Sequence, residues 1–145
     1  MPMQDKPLNI LLAEDDDGDA KAVQRSFQKA KIGNPILRAV DGRDALDMLK
    51  GLNGKTRTPA PRLVIADLNM PRMNGIQLVK AIREDPDEEV RNTIVFILTT
   101  SSRVEDKSAV YEHKVAGYIV KATAGQDFLE LVKLMDCYGR LVELP

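Results

Sequence analysis

The sequence predicts an α/β fold, a doubly wound sheet of five parallel strands with helices on both faces. Five short apolar runs alternate with segments of helical periodicity, which is typical of parallel strands joined by right-handed crossovers. Most of these runs are nearly continuous, as in strands that are covered on both faces. Polar residues follow the runs, at the carboxyl ends of the predicted strands, which is where such sheets bind ligands. The predicted strands are residues 8–13, 36–40, 63–66, 94–98 and 118–120.

The predicted helices lie between these strands. The first has an aspartate-rich start, which suits helix capping and the helix dipole, and it ends at Gly33-Asn34-Pro35. The run 36–40 that follows is interrupted by Arg38, so we place it at a sheet edge. The apolar residues that mark the helix faces are Ala20, Val23, Phe27 and Ala30 in the first helix; Ala45, Leu49 and Leu52 in the second; Leu78, Val79 and Ile82 in the third; Val104, Tyr111 and Val115 in a weakly apolar fourth; and Phe128, Leu131, Val132 and Met135 in the fifth.

The composition is that of an ordinary globular protein. The chain has 145 residues, of which 43% are hydrophobic and 30% charged, and its formal net charge is -1. This balance favours neither nucleic-acid nor membrane binding. The one cysteine, Cys137, excludes an internal disulfide and a multi-thiolate metal site. We therefore expect a cytoplasmic protein with a single domain over residues 1–145, its core at about 8–135 and a C-terminal helix and tail at 136–145.

Four of the predicted strands end in residues that can carry chemistry. Glu14 and Asp15 follow the first strand, Asp67 the third, Thr99 the fourth and Lys121 the fifth. The carboxyl ends of parallel strands meet along one edge, so we expect these side chains to converge. Three carboxylates in one crevice repel one another unless a hard cation neutralises them, and Mg²⁺ prefers oxygen ligands. Asp15 and Asp67 are the candidates for direct ligands, with Glu14 acting through water.

The same residues could support phosphoryl transfer. An aspartate carboxylate can act as a nucleophile and form an aspartyl phosphate. Lys121 would then supply a compact positive charge, and Thr99 a hydroxyl, to the phosphoryl oxygens. Each residue alone also has a simpler interpretation, because acidic residues often begin helices and polar residues often decorate strand ends.

Two further patterns are weaker candidates. Asp15, Asp17 and Asp19 imitate the start of a calcium-binding loop, but Ala20 replaces the required glycine and the closing glutamate is missing as well. His113, the one histidine, falls on the weakly apolar fourth helix, where we expect it to be solvated.

Four segments together resemble response-regulator receiver domains. They are Ile-Leu-Leu-Ala-Glu-Asp at 10–15, Ala-Asp-Leu-Asn-Met-Pro-Arg-Met-Asn-Gly at 66–75, Leu-Thr-Thr-Ser at 98–101 and Gly-Tyr-Ile-Val-Lys at 117–121. The resemblance implies the flavodoxin-like (βα)5 receiver fold with strand order 2-1-3-4-5. It also implies a two-component response regulator that accepts a phosphoryl group from the phosphohistidine of a sensor histidine kinase.

The resemblance assigns roles to the acidic residues. Asp67 corresponds to the phosphoacceptor, and Glu14 with Asp15 to the acidic pair that holds Mg²⁺. Asn69 corresponds to the residue that offers its main-chain carbonyl to the metal.

The resemblance also assigns Thr99 as the switch hydroxyl, Tyr118 as the switch aromatic and Lys121 as the phosphate-sensing lysine. Two positions depart from the family pattern. Ala122 follows Lys121 where the family usually has proline, often after a cis bond, and Asn74 stands where aspartate is common. A cis bond before a non-proline residue costs about 2.5–4 kcal/mol, so we expect a trans bond between Lys121 and Ala122.

Two other functions would use similar residues. A small Mg²⁺-dependent phosphohydrolase usually needs a second catalytic aspartate two residues after the nucleophile, where this chain has Asn69. A degenerate receiver that acts only as a docking module would be expected to lack Asp67, Asp15 or Lys121, and all three are present. Phosphotransfer signalling is therefore preferred.

A narrower resemblance is to the small regulators that pair with bacterial and cyanobacterial phytochromes, and it implies a phytochrome kinase as partner. We also expect a homodimer through the C-terminal helix, because apolar residues remain after one helix face is buried. These are Leu129, Leu134, Tyr138, Leu141 and Val142. We expect no attached output domain, so the signal would pass to a partner.

Overall fold

A five-stranded parallel sheet organises the structure. The computed structural model describes residues 8–30, 34–100 and 103–141. The strand order is β2-β1-β3-β4-β5, as predicted. The strands are β1 (Asn9–Ala13), β2 (Ile36–Ala39), β3 (Arg62–Asp67), β4 (Ile94–Thr99) and β5 (Gly117–Val120). The helices of the described residues are α1 (Asp17–Lys29), α2 (Gly42–Lys50), α3 (Gly75–Arg83), α4 (Glu88–Arg91), α5 (Val104–Tyr111) and α6 (Leu129–Leu141).

Each face of the sheet carries its own apolar core. Leu11 and Val64 point into one core, which packs against α2, α3 and α5. The neighbouring residues Ile10 and Leu63 point into the other core, which packs against α1 and α6. Because both faces are covered, successive strand residues are apolar, which confirms the interpretation of the continuous runs.

The strand register brings the polar strand ends to one edge of the sheet. β1 and β3 pair Ala13 with Ala66, so Glu14 and Asp67 come next on adjacent strands. β4 and β5 end at the same edge, and Lys121 directly follows β5. Convergence of the predicted site residues is thus a consequence of parallel pairing.

Side-chain caps fix the helices that begin at this edge. Asp16 accepts a hydrogen bond from the backbone N–H of Asp19 at the start of α1. Asp41 accepts one from the backbone N–H of Asp44 at the start of α2. Such caps satisfy backbone N–H groups that have no partner within the helix. The Asp16 cap accounts for one of the aspartates at the start of α1.

Some element boundaries differ from the prediction. Leu52 and Val115 lie beyond the ends of α2 and α5 instead of within them. α2 ends at Lys50 because Gly51 adopts a left-handed conformation, with φ 73°, as glycine commonly does after a helix. α4 (Glu88–Arg91) has no counterpart in the prediction, since a single turn leaves no periodic signal.

The helix α6 buries the face that was predicted for it, including Leu131, Val132 and Met135. Tyr138, predicted to be left over for a dimer interface, also packs inward. Its ring meets that of Phe96 edge to face, with centroids 5.2 Å apart. That part of the prediction is therefore wrong.

Within the described ranges, no helix has the length and apolar character needed to cross a membrane. Gly33, Ser101 and Val142, which the sequence analysis names, lie outside those ranges.

Candidate functional site

Three carboxylates meet at the carboxyl edge of the sheet. Glu14 and Asp15 follow β1, and Asp67 is the last residue of β3. Each offers an oxygen, and these oxygens lie within 4.8 Å of one another. Glu14 and Asp67 are buried, whereas Asp15 is exposed. The structure thus brings together the acidic residues that the sequence analysis selected.

Lys121 places its ammonium group among these carboxylates. Its nitrogen lies 2.9 Å from Oε1 of Glu14, 2.8 Å from Oδ2 of Asp19 and 3.0 Å from Oδ2 of Asp67. The lysine side chain is only 13% exposed. A cation held by three carboxylates offsets much of the repulsion that their convergence creates.

Asp19 is a site residue that the strand-end pattern does not predict; in the sequence it stands out only in the imitation of a calcium-binding loop. It lies in the first turn of α1 rather than at a strand end, so a search for polar strand ends passes over it. A signal was available: Asp19 lies in the first turn of a helix that begins directly after the β1 site residues, and such a turn can face back towards that edge.

Burial and neighbouring side chains shift the pKa values of both Glu14 and Lys121. Burial, with a hydrogen bond to Asp67, raises the pKa of Glu14 to about 8. Burial alone would lower the pKa of Lys121, but hydrogen bonds to Asp19, Glu14 and Asp67 outweigh it and raise that pKa above its ordinary value. The metal-free site therefore favours the protonated form of both groups.

The chain after β3 is folded tightly against Asp67. The backbone N–H of Asn69 donates to Oδ1 of Asp67 at 3.2 Å, and the N–H of Gly75 donates to the carbonyl of Leu68 at 2.9 Å. A Cβ at position 75 would lie 2.6 Å from the Asp67 carbonyl oxygen, closer than real contacts allow. Only glycine permits this approach of α3 to the site.

Asn74, which departs from the family pattern, caps α3. Its side chain accepts from the N–H of Gln77, and the Gln77 side chain accepts from the N–H of Asn74, both at 2.9 Å. This reciprocal pair is a capping box, and it anchors the end of the loop that follows Asp67.

A salt bridge fixes the middle of the same loop. Arg72 adopts a left-handed backbone conformation, with φ 62°, which costs a non-glycine residue about 1–2 kcal/mol. Its side chain donates to the buried Asp41 carboxylate at 2.6 Å, and the N–H of Gly42 donates to the Met73 carbonyl at 3.0 Å. Burial would raise the pKa of Asp41, but the hydrogen bonds from Arg72 and the N–H of Asp44 lower it below its ordinary value. The loop is thus tied to α2.

Arg38 holds the other side of the site. Two of its guanidinium nitrogens donate to the main-chain carbonyl of Glu14, at 3.0 and 2.8 Å. The third pairs with the exposed carboxylate of Asp17 at 2.6 Å. In the sequence, Arg38 indicates only that β2 is an edge strand, which is correct. The structure adds its contacts with the site.

The remaining predicted residues, Thr99 and Tyr118, lie on β4 and β5. Thr99 ends β4 and is fully buried. Tyr118 lies on β5, half-buried against the core beneath α2, α3 and α5. The one cis bond in the described residues precedes Pro61, so the Lys121–Ala122 bond is trans, as predicted.

The donor set fits a hard divalent cation. Glu14, Asp15 and Asp67 supply only carboxylate oxygens, spaced so that a single ion could touch all three, which is the chemistry that Mg²⁺ and Mn²⁺ accept. The exposure of Asp15 leaves one side open to solvent and to a substrate.

The chain matches the model of the response regulator receiver domain over residues 10–133. Response regulator Rcp1 of Synechocystis sp. is 30% identical to it over 140 residues, which cover 96% of this chain and 94% of Rcp1. The crystal structure of the Mn²⁺-bound form of Rcp1 has a TM-score of 0.82 and 28% identity, over 97% of this chain and 99% of that one.

A third relative is response regulator RPA3017 in red light signalling of R. palustris. Its structure has a TM-score of 0.77 and 30% identity, over 97% of this chain and 99% of that one. The family match covers most of the chain, and the sheet order and the acidic cluster agree with it. The chain therefore belongs to the response regulator receiver domain family of two-component systems.

Proposed function

We propose that Asp67 is the phosphoacceptor of this response regulator. One observation carries the assignment: the Asp67 carboxylate lies at the end of a central strand, within the acidic cluster and 3.0 Å from the Lys121 ammonium. Glu14 shares those contacts, but it is only 1% exposed, against 7% for Asp67, and is therefore less accessible to a phosphodonor.

The chemistry is a displacement at phosphorus. An Asp67 oxygen forms a bond to phosphorus as the bond to the histidine nitrogen of the kinase breaks, and the released imidazole takes up a proton. Lys121 turns from Asp67 to the arriving phosphoryl oxygens, and the Thr99 hydroxyl donates to them. Glu14, Asp15, Asp67 and the Asn69 carbonyl would hold Mg²⁺, which would supply positive charge to offset that of the transferring group.

The response to phosphorylation is assigned to Thr99 and Tyr118. Thr99 adjoins the site at the end of β4, and Tyr118 lies on the neighbouring strand between the core and the surface. Movement of the Thr99 hydroxyl towards a phosphoryl group would open space that the Tyr118 ring can enter, which would change the surface near α5.

The reaction is limited to phosphorylation and dephosphorylation of the chain itself. Asn69 stands two residues after the proposed nucleophile, where a phosphohydrolase would need a second acid. We place the protein in the cytoplasm, where its exposed free Cys137 would stay reduced.

The phosphodonor is a sensor histidine kinase, and a bacteriophytochrome is the kinase that we favour. Support comes from RPA3017, which acts in red light signalling and is 30% identical over nearly the whole chain. Transfer from a purified phytochrome kinase, compared with transfer from an unrelated kinase, would test this choice.

Replacing Asp67 with asparagine should abolish phosphorylation and leave the fold intact, because an amide is nearly isosteric but is not a nucleophile. The measurement is intact mass after incubation with Mg²⁺ and acetyl phosphate. The control is Asp136→Asn, an aspartate of α6 paired with Arg140, which should gain the adduct as wild type does. Phosphoryl uptake by Asp67→Asn at the wild-type level would overturn the assignment. Rapid turnover of many phosphate esters by the wild type would favour a phosphohydrolase.

Asp15→Ala should weaken Mg²⁺ binding by roughly tenfold or more, since even groups outside the ligand set alter metal affinity by that much. Without metal, the melting temperature should hold or rise, because one repelling carboxylate is removed. Titration calorimetry and thermal unfolding measure the two effects. Asp17→Ala serves as the control because Asp17 pairs with Arg38. Wild-type affinity in Asp15→Ala would exclude the ligand role.

The stability of the metal-free protein should fall as pH rises from about 4.5 to about 8, the unfolded and folded pKa values of Glu14. Folding raises the pKa of Glu14 from 4.5 to about 8, so its contribution is fully present below the unfolded pKa and is lost as pH rises through the folded pKa. Melting temperatures across this range would show the fall, and Glu14→Gln should remove most of it. Saturating Mg²⁺ should also make the fall in melting temperature with pH smaller, because metal binding favours the charged form of the carboxylate. Equal slopes for wild type and Glu14→Gln would contradict this account.

We propose a homodimer built on α6. Leu129, Leu134 and Leu141 are exposed by 39%, 41% and 81%, and Val104 and Tyr111 of α5 are also exposed. Light scattering should give the mass of a dimer at tens of micromolar. The double variant Leu134→Ser, Leu141→Ser should become monomeric, whereas Leu52→Ser, which changes a leucine of 44% exposure elsewhere, should not. A monomeric wild type would contradict the proposal.

A further inference from the structure

The contacts of Lys121 divide into two kinds. Glu14 and Asp67 contact its ammonium group and also belong to the cluster that can hold a metal. Asp19 makes the shortest of the three contacts, at 2.8 Å, but it is not a member of that cluster. When a divalent cation neutralises Glu14 and Asp67, their attraction for the lysine weakens, while that of Asp19 is retained.

The position of Asp19 is fixed by its helix. Its backbone N–H donates to the Asp16 side chain at 2.9 Å, which anchors the first turn of α1. The loop before that turn is held by Arg38 through the Glu14 carbonyl. Asp19 is 34% exposed and Lys121 is 13% exposed, so the pair is better shielded than an ordinary surface ion pair. A fixed carboxylate thus faces a long and otherwise flexible side chain.

We infer that Asp19 is a positioning residue for Lys121. Its carboxylate keeps the ammonium group beside Asp67 after metal binding, ready for the phosphoryl oxygens. This inference rests on the proposed function for its consequence in phosphoryl transfer, but the contact itself can be tested without phosphorylation.

The first test is a double-mutant cycle on thermal stability. Asp19→Asn should lower the melting temperature by about 2–4 °C in the wild type, with or without saturating Mg²⁺. In a Lys121→Met background the same substitution should leave the melting temperature unchanged or raise it, because only repulsion is then removed. If Lys121→Met does not fold without metal, the cycle at saturating Mg²⁺ gives the same comparison.

The second test follows phosphorylation by acetyl phosphate at saturating Mg²⁺. Asp19→Asn should reduce the maximal rate roughly tenfold, because the lysine is less well placed. The Kd for Mg²⁺ and the half-saturating acetyl phosphate concentration should change by less than about twofold. Asp19→Glu, which restores the charge, should recover part of the rate. Asp136→Asn removes a charge from α6, where Asp136 pairs with Arg140, and it should react as wild type does.

Three results would overturn the inference. The first is an equal loss of melting temperature in both backgrounds, and the second is disappearance of that loss when Mg²⁺ is added. The third is a large fall in Mg²⁺ affinity, which would make Asp19 a metal ligand. If the wild type takes up no phosphoryl group, the proposed function fails, but the stability cycle still decides whether Asp19 holds Lys121.

Discussion

The structure depends on the balance between crowded carboxylates and one partly buried lysine, Lys121. Parallel pairing of β1 with β3 places Glu14 and Asp67 side by side, and α1 adds Asp19 from above the same edge. Such crowding would be unfavourable without positive charge. Lys121 supplies that charge in the metal-free protein. Under the proposed function, a metal would take its place at the two buried carboxylates before the reaction.

Cationic side chains outside the cluster hold its backbone in place. Arg38 binds the carbonyl of Glu14 from the edge strand, and Arg72 ties the loop after Asp67 to the cap of α2. The glycine at position 75 then lets α3 lie directly against the Asp67 backbone. The loops that present the acidic residues are therefore fixed by the scaffold, as a site that binds a metal with defined geometry requires.

The sequence predicts most of the fold and the cluster because both follow from strand ends. Continuous apolar runs identify buried parallel strands, and the residue after each run, such as Glu14 or Lys121, must then lie at the common edge. The contact of Asp19 could not be predicted in this way, since it depends on where a helix begins and which way its first turn faces. Tyr138 was misassigned because helical spacing does not reveal that the Phe96 ring is within reach.

The central claim, that the phosphoryl group is carried by Asp67, is tested most directly by chemical trapping. An aspartyl phosphate is an acyl phosphate, and borohydride reduces it to homoserine, which peptide mass spectrometry locates. After phosphorylation with Mg²⁺ and acetyl phosphate, we expect homoserine at position 67 and no reduced side chain at the neighbouring acids Glu14, Asp15 or Asp19. Reduction product at another aspartate, with Asp67 unchanged, would contradict it.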